Sequence, residues 1–266
     1  VVTRPPARHA FCAWDGPIAM AHRGFSATDK LRGLENTLPA FAAATDLGYA
    51  YLETDVRTTS DGHLVAFHDE HLDRVTDGRG ALSDLPWARV RRLLVAGREP
   101  VPALEDVLGS FPRARFNLDV KTAAAVAHLD GVLRRTNAHG RVLVTAFAQR
   151  RRRAALSAVG GREATSASSP GTALALAGTR LHAPLLVRAA LRGVDAVQVP
   201  VRHGGVEVVS ARFVDAVHRA GAQVHVWTVD DAAQIAALLD LGVDGIITDR
   251  ADVLKAVLTS RGEWIG

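Results

Sequence analysis

The sequence predicts an α/β protein, a single-domain (β/α)8 TIM barrel, and three observations point there. Short β-branched or apolar runs, eight in number, alternate with alanine- and leucine-rich stretches of helical period from residue 18 to the end. Parallel strands need helical crossovers and a sheet covered on both faces, and repeated units of this number suit a sheet closed on itself. No linker or low-complexity segment divides the 266 residues, and barrels of that length commonly form one domain. A doubly wound open sheet is the alternative architecture.

Taken in order, residues 1–17 read as an N-terminal extension and residues 18–266 as the barrel. Strand runs fall at 18–22, 51–57, 116–121, 142–147, 163–167, 196–199, 223–228 and 245–248. A further run, 64–68, follows the second across "SDG", a turn sequence, and either makes a hairpin or joins the barrel. Between strands, "TLPAFAAATDLG", "ARFVDAVHRAG" and "DAAQIAALLDLG" have helical period, and each ends in a glycine, the residue that tolerates the left-handed helix stop. Thr37 and Ser83 read as helix or turn caps.

Composition narrows the function. The chain is 48% hydrophobic, enough for a large core, and its formal charge of +4 is spread along it, which is no nucleic-acid footprint. Cys12 is the single cysteine, so an internal disulfide framework and a cysteine-rich zinc site are excluded. No run approaches the roughly 18 apolar residues of a membrane span. The first residues carry arginines and prolines where a secretory signal needs an apolar core, so the expected setting is cytoplasmic. In "QRRRRAALSAV", Arg150 to Arg153 sit at a helix start and oppose its dipole. They read as a solvated face, with an anion-attracting or membrane-facing role as the alternative.

Strand side chains alternate between faces, and that rule selects the candidate chemistry. In "LETDV" it sends Glu53 and Asp55 inward; in "FNLDVK" it sends Asn117, Asp119 and Lys121; in "QVHVWTV" it sends Gln223, His225 and Trp227. Three inward carboxylates, Glu53, Asp55 and Asp119, repel one another and resist desolvation unless positive charge sits among them. A hard cation, Mg²⁺ or Ca²⁺, suits such oxygen donors; pairing with Arg23, Arg57 and Lys121 is the purely structural alternative. His22 and His68 each end a strand-like run, where barrels of this type place their chemistry, and two imidazoles suit an acid and a base. Arg23 and Lys121 add positive charge for an anion, with phosphate the best fit.

Together "AHRG", "ENTLPAF", "LETDVRTTSDGHLVAFHDEHLDRVTDGRG", "VPALEDVL", "FNLDVK", "WTVDD" and "GVDGIITDRAD" resemble, in order, the glycerophosphodiester phosphodiesterase family, from about residue 21 to about residue 258. The resemblance implies a metal-dependent (β/α)8 barrel that hydrolyses glycerophosphodiesters to glycerol 3-phosphate and an alcohol. Carried over by position, it implies catalytic roles for His22 and His68, metal ligation by Glu53, Asp55 and Asp119, and phosphate contacts by Arg23 and Lys121. It also places Trp227 at an aromatic position lining the glycerol pocket, where ordinary barrel packing is the alternative. Glu35, in "ENT", lines or braces the site. The expected partner is a small-molecule glycerophosphodiester, with no nucleic acid and no stable membrane insertion.

Two departures stand out. The family usually has glutamate where Asp119 stands, and its proline before Glu-Asn is Leu34 here. The loop 25–34 looks longer than usual, which makes it the expected place for substrate choice. A phospholipase D-like enzyme acting on lipids and a non-catalytic barrel binding phosphorylated ligands are the competing readings.

Overall fold

In a computed structural model, which describes residues 5–265, eight strands share one sheet: β1 (Ile18–His22), β2 (Tyr51–Thr58), β3 (Leu64–Ala66), β4 (Arg115–Val120), β5 (Val142–Thr145), β6 (Ala196–Pro200), β7 (Gln223–Trp227) and β8 (Gly245–Thr248). Seven of them run parallel in the order β5-β4-β2-β1-β8-β7-β6, and β3 pairs antiparallel with β2. The eighth wall of the barrel is the stretch 163–167. It pairs through single bridges, Leu143 with Ala164 and Ser166 with Ala196, and through Val144 N–H to Ala164 O and Ala167 N–H to Ala196 O, both 2.8 Å. The predicted strand there is therefore two bridges and no continuous ladder. The run 64–68 takes the hairpin alternative.

Each side chain's direction follows from the alternation. Leu52, Val56, Leu118, Val120, Val224 and Val226 point outward and form the main core with the surrounding helices. The inner face is divided along the barrel axis. Ile18, Met20, Tyr51, Leu143, Ala164, Ala196 and Ile247 form an apolar cluster toward the N-terminal ends of the strands, and His22, Glu53, Asp55 and Asp119 line a cavity above it.

The segment before β1 completes the lower end. A short 3-10 helix, Ala10–Cys12, buries Phe11 and Cys12 against Ile18, Met20 and Tyr51. Tyr51 donates to Phe11 O at 2.7 Å, Gln223 Nε2 to Cys12 O at 3.0 Å, and Arg115 Nη1 to Ala13 O at 2.8 Å. Burial pushes the Cys12 thiol up to about 12, so it stays protonated and unreactive. Residues 1–4 of the predicted extension, and Gly266, lie outside the described residues.

The three helices read from the sequence are Leu38–Asp46, Ala211–Arg219 and Ala232–Asp240, and each is followed within two residues by a glycine of positive φ. Thr37 occupies the N-cap position of the first, but its hydroxyl donates to Leu34 O at 2.7 Å and makes no cap bond to the helix. Among the described residues no helix is long and apolar enough to cross a membrane.

Candidate active site

The C-terminal ends of the strands surround a cavity of about 480 Å³. His22, Arg23, Glu53, Asp55, His68, Asp119, Lys121 and Trp227 all line it, so eight of the nine sequence-predicted residues meet in one place. The ninth, Glu35, stands behind Arg23, its carboxylate taken up by Arg23 Nη1 at 2.9 Å and by Arg74 at 2.7 and 2.9 Å.

A sharp backbone turn presents the first two. Arg23 has φ +55 and Gly24 φ +84. A Cβ on Gly24 would lie 2.6 Å from the carbonyl carbon of Ala40, so only glycine lets helix Leu38–Asp46 come this close. Arg23 is held in its left-handed conformation by Asn36 N–H to Arg23 O (2.9 Å) and by its own N–H to Glu53 O (3.1 Å). Its Nε then faces Asp55 Oδ2 at 3.1 Å.

The two imidazoles share one arrangement. His22 Nδ1 lies 2.7 Å from Asp249 Oδ1, and His68 Nδ1 lies 2.6 Å from Asp69 Oδ1. Desolvation raises and hydrogen bonding lowers both carboxylates, and the net effect holds each below the usual range: Asp249 through His22, Asp69 through Arg74 foremost and then His68. An ionised carboxylate only accepts, so Nδ1 carries the proton in both rings and Nε2 is left for chemistry. Burial lowers the His22 pKa, but Glu53, with Nε2 3.8 Å from its Oε2, and the Asp249 bond outweigh it and the net shift is upward. His68 reaches the cavity differently from the strand-end placement expected: β3 ends at Ala66, and the hairpin returns along β2, where Phe67 N–H bonds to Asp55 O at 3.0 Å.

The floor is a mixed ion cluster. Asp55 and Asp119 stand side by side in the register of β2 and β4, and Lys121 Nζ bridges them, 2.9 Å from Asp55 Oδ1 and 2.5 Å from Asp119 Oδ2. Burial raises the Asp55 pKa, but Lys121 and Arg23 more than offset it and the carboxyl is held low. Glu53 goes the other way: burial, then its neighbour Asp55, raise it to about 7. Asp119 is also raised by burial, and its Oδ1 is buried with no hydrogen-bond partner. The sequence alternative of a structural charge network is thus partly present, in Arg23 and Lys121. Arg57 is not in it, because its Nε donates to His68 O at 2.7 Å.

Whether a divalent cation fits can be judged from these atoms. The donors are all carboxylate oxygens, one of them orphaned, and burial beside Asp55 holds one carboxyl up near 7; that chemistry suits Mg²⁺ or Ca²⁺. With Lys121 between the acids, no group of three His, Cys, Asp or Glu among the described residues forms a ready-made metal set.

The sequence pattern of the Glycerophosphoryl diester phosphodiesterase family matches residues 22–253. The chain belongs to that family. A Mycobacterium tuberculosis protein named "Probable glycerophosphodiester phosphodiesterase 2" is 43% identical over 256 residues, covering 96% of each chain. The glycerophosphodiester phosphodiesterase of Caldanaerobacter subterraneus subsp. tengcongensis is 28% identical, over 92% of this chain and 99% of that one. In fold, the chain is similar to an Oleispira antarctica phosphodiesterase crystallised with the product sn-glycerol-3-phosphate, with a TM-score of 0.74 and 21% identity over 92% of this chain and 97% of that one.

Several residues in the site of this family member were not singled out from sequence. Asp249 lies inside the quoted "GVDGIITDRAD" but 227 residues from His22, and only barrel closure joins them. Phe147 stacks edge-on against Trp227, ring centres 6.0 Å apart, and carries Lys121 Nζ over its face at 5.4 Å. Gln198 receives Asn117 Nδ2 at 3.3 Å. Conversely, no residue of the loop 25–34 lines the cavity. Phe25 and Leu34 are buried, and the loop's outer turn is pinned by Arg98 to Lys30 O and Arg32 O. Other segments supply that side of the lining: Ser169, Thr172, Ala173, Leu176, Pro200, His203 and Val208 line the same cavity.

Proposed function

We propose that the chain hydrolyses glycerophosphodiesters to sn-glycerol 3-phosphate and an alcohol, with His22 and His68 as the acid–base pair and a divalent cation, Mg²⁺ or Ca²⁺, held by Glu53, Asp55 and Asp119. The single observation that carries it is the pair of imidazoles, each backed by a carboxylate on Nδ1, in one cavity over a floor of three acids and two cations. The reading also draws support from family membership and from the product bound to the Oleispira relative.

The physical problem is to bring a nucleophile to a phosphodiester anion and to expel an alkoxide. Arg23 and Lys121 offer charged donors to the phosphate oxygens, where charge gathers in the transition state. When bound, the cation adds Lewis-acid stabilisation of those same oxygens. One neutral imidazole takes the proton of the attacking hydroxyl on Nε2, and the other, entering as the imidazolium, delivers its Nε2 proton to the departing alkoxide, each role being worth roughly 10² to 10⁴ in rate. Asp249 and Asp69 keep the rings in the tautomer this needs. Trp227 and Phe147 offer apolar faces to the glycerol carbons. A cytoplasmic setting belongs to the same proposal and is compatible with the lone, unpaired Cys12.

A panel of glycerophosphodiesters, incubated with and without chelator and assayed for sn-glycerol 3-phosphate, tests the reading. The expected result is release that chelation stops and added Mg²⁺ or Ca²⁺ restores. Absence of release from every member overturns the activity, and release indifferent to chelation overturns the metal.

A further inference from the structure

The helix Ser169–Arg180 lies across one side of the cavity mouth, with Ser169, Thr172, Ala173 and Leu176 lining it, and the helix Pro184–Ala190 follows directly. Its outer face is apolar, which reverses the usual order: Pro170, Ala173, Leu174 and Ala177 are exposed along it, and Leu181, Pro184 and Leu185 continue the face beyond it. Leu181 is 72% and Leu185 79% exposed. Of the six large hydrophobic residues exposed among the described residues, five lie in the cavity lining, on or between these two helices, or on the adjoining ribbon: Phe147, Leu174, Leu181, Leu185 and Val206. Phe147 lines the cavity itself, and Val206 pairs with the cavity-lining His203 in a small ribbon whose Glu207 O accepts from Arg180. Isolated exposed apolar side chains are ordinary, whereas a contiguous group at a site's mouth marks an interaction surface.

Charge identifies the partner. From residue 164 to residue 194 the chain has no Asp or Glu, while Arg180, Arg188 and Arg192 are all exposed. Exposed leucines flanked by three arginines, with Glu207 of the ribbon the acid beside Arg180, match an anionic phospholipid surface, with the leucines entering the acyl boundary and the guanidinium groups meeting phosphates. A second copy of the chain fits less well, since a two-fold interface would set these arginines against their own copies.

We infer that the apolar, arginine-flanked face of residues 170–192 docks the enzyme reversibly on anionic phospholipid bilayers, with the mouth of the cavity against the lipid. The inference deepens the proposed activity, because a docked cavity draws its glycerophosphodiesters from the membrane surface, but the docking is measured independently of turnover.

Vesicle co-sedimentation of the full chain tests it, comparing mixed phosphatidylcholine–phosphatidylglycerol vesicles with phosphatidylcholine alone. Three arginines near an anionic surface give an expected preference on the order of a hundred-fold at low salt, shrinking as salt rises. The double variant Leu181→Glu, Leu185→Glu is expected to lose vesicle binding while still hydrolysing soluble glycerophosphocholine, since neither side chain lines the cavity. Equal or absent binding to the two vesicle types overturns the inference, as does binding that the double variant leaves intact. A wild-type dimer in analytical ultracentrifugation that the same variant dissolves, without vesicle binding, assigns the face to self-association. Loss of soluble turnover in the wild type with intact vesicle binding would reject the proposed activity and leave the docking standing.

Discussion

Single residues divide the cavity into chemistry and support. His22→Ala and His68→Ala are expected to reduce kcat by about 10² to 10⁴ each with unchanged circular dichroism, because both side chains sit at the cavity and neither fills the core. Asp249 supports only through His22: Asp249→Asn keeps the size but no longer requires Nδ1 to be the protonated nitrogen. Its expected signature is a shifted pH profile of kcat with KM nearly unchanged, measured on a soluble substrate across neutral pH. The inward positions of Glu53, Asp55, Asp119 and Lys121 were legible because strand alternation is a local rule. Asp249 was not legible as a partner, since nothing local links it to His22.

At the scale of elements, the turn from β1 into helix Leu38–Asp46 controls the most. Gly24→Ala forces a Cβ to within 2.6 Å of the Ala40 backbone at a φ of +84. We expect a loss on the order of 2 kcal/mol or more in urea-unfolding stability, together with lower kcat, because Arg23 is aimed by the same turn. The hairpin of β2 and β3 is the second such element. Its excursion builds a small core of its own, Leu34, Val65, Phe67, Leu72, Leu82, Val90, Val95 and Val101, and that core absorbs the loop 25–34. The loop reads from sequence as a free rim segment because its polar surface is visible there and its two buried anchors, Phe25 and Leu34, are not distinguishable as such. The arginine run in helix Gln149–Ala158 shows the same limit: Arg150 and Arg153 are exposed as a solvated face requires, yet Arg152 is buried, reaching Gln149 and Thr165.

Across the whole molecule, the barrel separates stability at one end from chemistry at the other. Phe11→Ala removes a buried ring from the plug below the strands and is expected to cost about 3–5 kcal/mol of unfolding free energy while leaving kcat on a soluble substrate unchanged. His225, fully buried inside the barrel with its pKa pushed down to about 4 by burial, ties stability to pH. Its folded pKa lies below the unfolded value, so its contribution is intact above about pH 6.5 and is lost as pH falls toward 4, by up to roughly 3 kcal/mol. Urea midpoints measured over that window should fall in the wild type and flatten in His225→Gln. By itself, the sequence determined the class of fold, seven of the eight predicted strands and the inward carboxylates, since strand and helix periods are carried by neighbouring residues. Only the tertiary structure decided that Asp249 backs His22, that Phe11 and Cys12 plug the barrel and that helix Ser169–Arg180 borders the cavity with an apolar outer face. Those relations join positions far apart in the chain, and they exist only once the sheet has closed and excluded water from the space between them.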